Sequence, residues 1–146
     1  TDVQAAIGVE QLKKFPTFVE KRRHNWARLR AALADIEDKV ILPEAAPNSN
    51  PSWFGFLLTV CEGINRENVV RYIEEKGVQT RMLFSGNLLK HPCFNQMRES
   101  GQGYRVIGDL TNSDRIMRDT FWVGVYPGMT DEMIDYMAEV IKGALR

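Results

Sequence analysis

The chain has 146 residues, which is enough for one domain with a buried core. Its basic and acidic side chains are equal in number, so no net field attracts nucleic acid or an anionic membrane surface. No apolar run approaches the roughly 20 residues that span a bilayer. The two cysteines are too few for a disulfide framework, which favours a reducing compartment and a cytoplasmic location.

Residues 1–42 predict a helical segment made of two helices. Thr1 and Gln4 have capping-box spacing, and the first helix is predicted to end near Lys14. Apolar residues surround this helix on all sides, which predicts burial against another domain or a second subunit. Phe15-Pro16 ends it and starts a second, amphipathic helix. The apolar stripe of the second helix has three- and four-residue steps: Phe18, Val19, Trp26, Leu29, Leu33 and Ile36.

Residues 43–146 predict a small α/β domain that begins with a linker rich in proline and asparagine, Pro43 to Pro51. Asn65 and Thr130 are predicted helix caps, and Gly77 is a predicted helix stop. Three strands separated by helices indicate a small α/β layer fold with a three-stranded sheet. The strands are predicted at 53–61, 78–83 and 120–125, and the helices at 65–76, 92–99, 110–119 and 130–145.

The segment from Thr80 to Phe94 is the best candidate for binding a polar ligand. It begins as a strand, breaks at Ser85-Gly86-Asn87 and restarts as a helix at His91-Pro92, where proline suits the first turn. A guanidinium binds carboxylate or phosphate in a fixed fork, so an arginine at either end of this region suits a phosphorylated ligand. The predicted substrate-binding residues are Arg81, Phe84, Ser85, Gly86, Asn87, His91 and Arg118.

Each of these candidate binding residues also has a simpler structural explanation. An ordinary ion pair explains Arg81 or Arg118 equally well, and turn chemistry explains Ser85-Gly86-Asn87. Phe84, Trp122 and Tyr126 are candidates for lining a sugar, although Trp122 alternates within a strand and is interpreted as core.

Three further patterns predict no site. The basic run at 20–30 is typical of a solvated helix face rather than of a nucleic-acid patch. Gly101-x-Gly103 lacks the third glycine of a dinucleotide fingerprint and does not follow a strand. His91 and Cys93 have no partners at zinc or iron–sulfur spacing, and the sequence names no base that would activate Cys93. We therefore predict neither a metal site nor a complete catalytic constellation.

The first twelve residues, with the pattern Gln-Ala-Ala-x-Gly-x-x-Gln-Leu, resemble a helix of the DegT/DnrJ/EryC1/StrS family of sugar aminotransferases. In that family the helix follows the core of the cofactor domain, and the resemblance extends along the whole chain. The segments at 80–94 and 120–130 are similar to the dehydrating branch, the CDP-4-keto-6-deoxy-D-glucose 3-dehydrases of lipopolysaccharide O-antigen synthesis. The resemblance implies the small C-terminal domain of a fold-type I enzyme that depends on pyridoxal or pyridoxamine 5′-phosphate (PLP or PMP).

The same resemblance implies a homodimer, a nucleotide-sugar substrate (a CDP-linked 4-keto-6-deoxyhexose) and, in some members, a [2Fe–2S] cluster with a reductase partner. The cofactor aspartate, the catalytic histidine or lysine and the cluster cysteines of the family all lie upstream of the part that resembles this chain. No residue here is therefore predicted to be catalytic, to bind the cofactor or to ligate a metal. The loop from Arg81 to His91 and the region of Arg118 are expected to face the nucleotide sugar.

The chain begins at Thr1 without a methionine, inside a predicted motif, and we expect it to be an inactive piece of a larger enzyme. Two alternatives remain. The parent enzyme is a nucleotide-sugar aminotransferase, or the chain is a non-catalytic interaction domain.

Overall fold

A computed structural model describes residues 1–146, which form five α-helices and one four-stranded sheet. Three 3₁₀ turns, at Ala34–Ile36, Leu88–Lys90 and Pro92–Phe94, join them. The helices and strands, in chain order, are α1 (Asp2–Ala32), β1 (Val40–Ile41), β2 (Gly55–Val60), α2 (Arg66–Glu75), β3 (Thr80–Met82), α3 (Asn95–Ser100), α4 (Thr111–Asp119), β4 (Thr120–Gly124) and α5 (Asp131–Ala144). None of the helices combines the length and the apolar composition that a membrane span requires.

Helix α1 is continuous, and the prediction of two helices divided at Phe15-Pro16 is wrong. Pro16 removes the N–H that would bond to the carbonyl of Leu12, a loss that usually costs about 3 kcal/mol. The turns around Pro16 are exposed, so water reaches the freed carbonyl. The C-terminal half of α1 is anchored in the core through the buried side chains of Asn25 and Leu29, and this anchoring holds the helix together.

The sheet is antiparallel with the strand order β1-β2-β4-β3. It has four strands, one more than the three that were predicted from the sequence. The additional strand, β1, pairs Val40 with Val60 and Ile41 with Thr59. It lies before the division predicted at residue 43, which stays a prediction. β4 is inserted between β2 and β3, which makes the unit β2-α2-β3 a split βαβ motif.

One face of the sheet forms the core with α1, α2 and α5. Alternate residues of β2 and of the β4 segment point to this face and are fully or almost fully buried, as the period of two requires. Helix α5 adds Ile134 and Ile141, whereas Met133 is half exposed. The six core residues from the strands are Phe56, Leu58, Val60, Phe121, Val123 and Val125.

The opposite face carries Trp122, which is half-buried rather than part of the core. Its ring lies over Gly55, where an added Cβ would come within 2.5 Å of the indole. Trp122 is also paired in register with Arg81 on β3, so both side chains stand on this outer face. The interpretation of Trp122 as a core residue is wrong, because Phe121 and Val123 face the helices instead.

The basic run of α1 pairs with α5. The Asp131 carboxylate accepts hydrogen bonds from His24 (2.8 Å) and Arg28 (3.1 Å), and Asp135 accepts two from Arg28 (2.7 Å each). The hydrogen bond from His24 lowers the pKa of Asp131, and the hydrogen bond from Arg28 lowers the pKa of Asp135. These cations are therefore engaged in ion pairs within the fold.

Two arginines of the same run hold the linker against α1. Arg22 donates to the carbonyl of Trp53 at 2.9 Å, and Arg23 donates to the carbonyls of Asn50 (2.7 Å) and Pro51 (3.3 Å). The ring of Trp53 then stacks on Trp26 with centroids 4.4 Å apart. The chain therefore enters β2 from a fixed position.

Candidate functional site

The loop that follows β3 places one aromatic ring in solvent. Phe84 is 81% exposed and has a positive φ of 47°, a left-handed conformation that only a few per cent of non-glycine residues adopt. Its N–H donates to the carbonyl of Met82 at 2.8 Å, which closes a tight three-residue turn. Such a conformation costs on the order of 1–3 kcal/mol and persists only where the surroundings impose it.

Asn87 ties this loop to α4. The side chain is almost completely buried, and its Oδ1 accepts the N–H of Leu89 at 3.1 Å while its Nδ2 donates to Asp114 Oδ1 at 2.7 Å. The other carboxylate oxygen of Asp114 pairs with Lys90 at 2.7 Å. The hydrogen bonds from Lys90 and then from Asn87 lower the pKa of Asp114. The Asn87 amide, which was predicted to meet a ligand, thus has its oxygen engaged by the loop and its nitrogen engaged by α4.

Gly86 lets the loop lie directly on α4. Its φ is +57°, and an added Cβ would lie 2.5 Å from the Cβ of Met117 and 2.9 Å from its Cα. Real Cβ atoms do not approach other atoms so closely, so only glycine fits at this position.

His91 closes the loop on itself. Its Nε2 lies 2.6 Å from the carbonyl oxygen of Ser85, and because a carbonyl only accepts, Nε2 carries the proton and donates it. Arg98 on α3 donates to the carbonyls of Leu89 and His91. The loop between β3 and α3 is thus fastened at four places.

Six of the seven predicted binding residues line three different clefts. Phe84, Ser85, Gly86 and His91 line one cleft of about 310 Å³. Arg118 lines a second of about 1120 Å³, and Arg81 lines a third of about 510 Å³ beside Trp122. Asn87 lines none of the three and is buried against α4. The structure therefore brings the loop residues together and leaves both arginines apart from them.

The two arginines differ in what they contact. Arg118 forms a two-pronged pair with Asp119, at 2.9 Å from Nε and 2.8 Å from Nη2, and this pair raises the pKa of Arg118. Arg81 stands exposed on the outer sheet face with no ion pair to another residue. The ion-pair interpretation thus describes Arg118, and Arg81 is the freer cation.

Arg66 was not predicted as a site residue, yet it lines both the loop cleft and the cleft of Arg118. Its Nη1 donates to the carbonyl of Met117 at 2.8 Å, while its Nε is buried without a partner. Arg66 lies in the first turn of α2, directly after the Asn65 cap. The local sequence there signals the start of a helix and does not mark the Arg66 side chain as part of a site.

A family model described as the DegT/DnrJ/EryC1/StrS aminotransferase family matches residues 1–142. A relative from Saccharopolyspora spinosa, named dTDP-4-dehydro-2,6-dideoxy-D-glucose 3-dehydratase, is 48% identical over 97% of this chain and 30% of its own length. The lipopolysaccharide biosynthesis protein RfbH of Salmonella typhimurium is 46% identical over 94% of this chain and 31% of its own length.

Solved structures agree with these relatives. The Escherichia coli GDP-4-keto-6-deoxy-D-mannose-3-dehydratase with bound hydrated PLP matches with a TM-score of 0.78 and 28% identity, over 93% of this chain and 34% of that one. A variant of GDP-4-keto-6-deoxymannose-3-dehydratase with bound GDP-perosamine matches with a TM-score of 0.80 over the same shares. The chain spans about a third of the length of each of these proteins. The predicted small α/β domain of an aminotransferase-fold enzyme is confirmed, and the chain belongs to the DegT/DnrJ/EryC1/StrS aminotransferase family.

Proposed function

We propose that this chain is the substrate-side C-terminal domain of a PMP- or PLP-dependent nucleotide-sugar 3-dehydratase that makes 3,6-dideoxyhexoses for lipopolysaccharide O-antigen. The supporting observation is the contrast between relatives. Identity is 48% and 46% with a 3-dehydratase and with a lipopolysaccharide biosynthesis protein, whereas relatives named as sugar aminotransferases match at 25% or less. The proposed substrate is a nucleotide-linked 4-keto-6-deoxyhexose, with CDP as the expected nucleotide.

The role of these residues in that reaction is to bind and orient the substrate. Phe84 offers a flat apolar ring to the sugar, and Ser85 lies beside it in the same cleft. Because Nε2 of His91 donates to Ser85, Nδ1 is the ring atom left to meet a sugar hydroxyl. Arg81 is the candidate for the phosphates, since its guanidinium is free on the outer sheet face. Arg118 remains a second candidate.

The proposal places no PLP site on this chain by itself. Schiff-base chemistry needs a lysine that is held in a closed pocket beside a phosphate cradle. Lys13, Lys90 and Lys142 are in surface ion pairs, and Lys39 donates to the carbonyl of Leu145. We therefore expect the cofactor to bind to residues outside this chain. The proposed catalytic histidine, or a lysine in its place, also lies outside this chain.

A [2Fe–2S] cluster and a reductase partner are further parts of the proposal. Cys61 is half-buried at the end of β2, and Cys93 is exposed in the turn before α3. No group of three or more His, Cys, Asp or Glu side chains stands close enough to hold a metal ion. The cluster ligands would therefore come from outside this chain. A cytoplasmic location stays a prediction.

The test uses the enzyme expressed from the full reading frame that contains this chain. The enzyme is loaded with PMP and given CDP-, dTDP- and GDP-linked 4-keto-6-deoxyhexoses, in the presence and absence of glutamate. We expect loss of the C3 hydroxyl, detected by mass spectrometry and NMR of the sugar, and no turnover by this chain alone. An amino sugar formed at the expense of glutamate would make the parent an aminotransferase. No turnover of any of the three would favour an interaction domain.

Self-association of this chain is expected from the first half of α1, where Val3, Ile7, Val9, Leu12 and Phe15 are each more than half exposed. Exposed apolar patches of this kind mark protein interfaces, and the proposed interface joins two copies. Light scattering at rising protein concentration should show dimers or larger species, and the double variant Ile7→Glu/Leu12→Glu should be monomeric.

The matched control for that experiment is Ile107→Glu, which changes an even more exposed isoleucine in the loop before α4. It should leave the association unchanged. A strictly monomeric unsubstituted chain, or equal dissociation by the control, would contradict the proposed dimer surface.

A further inference from the structure

The left-handed turn at Phe84 is imposed by contacts that lie outside the turn. The side chains of Phe84 and Ser85 are both exposed, so burial of neither one fixes the turn. What holds the backbone is the hydrogen bond from His91 to the carbonyl of Ser85, together with the fastening of Gly86 and Asn87 to α4, three residues or fewer downstream. The tip of the loop, Phe84-Ser85, is thus oriented by contacts that the rest of the loop makes.

The strongest of these fastenings is a short chain of polar contacts. Asn87 accepts from Leu89 and donates to Asp114, and the second oxygen of Asp114 pairs with Lys90. Each group is used once and in the direction that its chemistry permits. Hydrogen bonds to an ionised carboxylate are stronger than neutral ones, and the Asn87 end of this one is almost completely buried.

We propose that Asn87 and Asp114 are positioning residues, a clamp between the loop and α4 that holds the Phe84-Ser85 tip in the conformation that meets the ligand. Neither residue touches the ligand itself. The ligand half of this inference rests on the proposed function, because the tip is taken to contact a nucleotide sugar. The clamp half rests on the distances alone.

The chain offers an exchange of the two side chains that separates charge from geometry. Asn87→Asp alone sets two carboxylates against each other at a 2.7 Å contact. Asp114→Asn alone leaves one oxygen to serve both the Asn87 amide and the Lys90 ammonium. In the double variant Asn87→Asp/Asp114→Asn the central hydrogen bond runs in the reverse direction. The carboxylate at 87 then accepts from Leu89 N–H and from the amide at 114, and the amide oxygen accepts from Lys90.

The first readout is the backbone order of this chain, measured by ¹⁵N relaxation. We expect the order parameters of Phe84 and Ser85 to be near the rigid value of about 0.85, to fall below about 0.6 in both single variants and to recover in the double variant. Asp35→Asn, which disturbs the surface pair with Lys142, is the matched control and should leave the tip unchanged. A tip that stays rigid in both single variants would overturn the clamp.

The second readout is turnover by the full enzyme. Both single variants should raise KM for the nucleotide sugar about tenfold while kcat is unchanged, and the double variant should restore KM. Phe84→Ala keeps the clamp and removes the ring, so it should raise KM while the tip stays rigid. This variant tests the ligand contact even if one of the single clamp variants does not fold. A loosened tip with an unchanged KM would overturn the positioning role. If the unsubstituted enzyme turned over no nucleotide sugar, the proposed function and the ligand half would fall, and the order parameters would still decide the clamp.

Discussion

Replacing Phe121 with alanine is expected to lower the free energy of unfolding by about 3–5 kcal/mol. The ring is fully buried in β4, the strand that pairs with both β2 and β3, so its removal leaves a cavity at the centre of the sheet. Domains of this size are stable by only about 5–15 kcal/mol. Urea unfolding followed by circular dichroism measures the change.

Phe84→Ala is the matched control, because the same atoms are removed from a ring that is exposed. Its effect should be within about 0.5 kcal/mol, as for most surface substitutions. The alanine inherits the same positive φ, so the backbone strain is unchanged. Equal losses from both variants would mean that the face of the sheet carrying Phe121 is not the core.

Gly86→Ala is expected to destabilise the chain by about 2–5 kcal/mol. One contribution is the left-handed backbone at φ +57°, and the other is the collision of the new Cβ with Met117. The nearest obstacles include the Cα of Met117, so rotation of a flexible side-chain end cannot relieve the contact. Thermal unfolding of the two proteins under one set of conditions gives the difference.

The comparison that isolates the collision is Gly77→Ala. Gly77 also has a positive φ, +80°, but no atom lies within 4 Å of an added Cβ. Only the backbone penalty of about 1–2 kcal/mol is expected there. If Gly86→Ala were no worse than Gly77→Ala, the loop would not lie against α4 as the structure has it.

Helix ends were predictable from the sequence where a single residue provides a local signal. Asn65 accepts the N–H of Asn68 at 3.0 Å, and Thr130 accepts the N–H of Met133 at 3.3 Å. Gly77 follows the end of α2 in the left-handed conformation predicted for a helix stop. Each of these depends on residues within four positions, so no knowledge of the rest of the fold was needed.

Features set by distant partners were not predictable in this way. The two residues of β1 carry no strand pattern of their own and become a strand only by pairing with Val60 and Thr59. Pro16 is a strong local signal for a break, but the anchoring of α1 further along the helix prevailed over it. The alternation of apolar residues around Trp122 correctly indicates a strand. Alternation alone does not tell which of the two faces the helices cover.

The same limit applies to the candidate site. The breaker residues Ser85-Gly86-Asn87 predict the loop, and four of the predicted binding residues in this region share one cleft. The partner of Asn87 lies 27 positions away in α4, where nothing in the sequence marks Asp114 as special. Arg81 and Arg118 were grouped with the loop because both are arginines near strand ends, and the fold sends them to other clefts.

The insertion of β4 between β2 and β3 has a consequence for the nascent chain. During synthesis only β1 and β2 can pair early, and β3 stays unpaired on both edges until residues 120–124 have left the ribosome. The sheet therefore cannot grow one hairpin at a time, and its last-made strand is the one that joins the others. Folding that waits for such distant pairing is slow and leaves strand edges open to other chains. We therefore expect a ribosome-bound chain that stops before Thr120 to depend on chaperones, and the release of residues 120–124 to end that dependence.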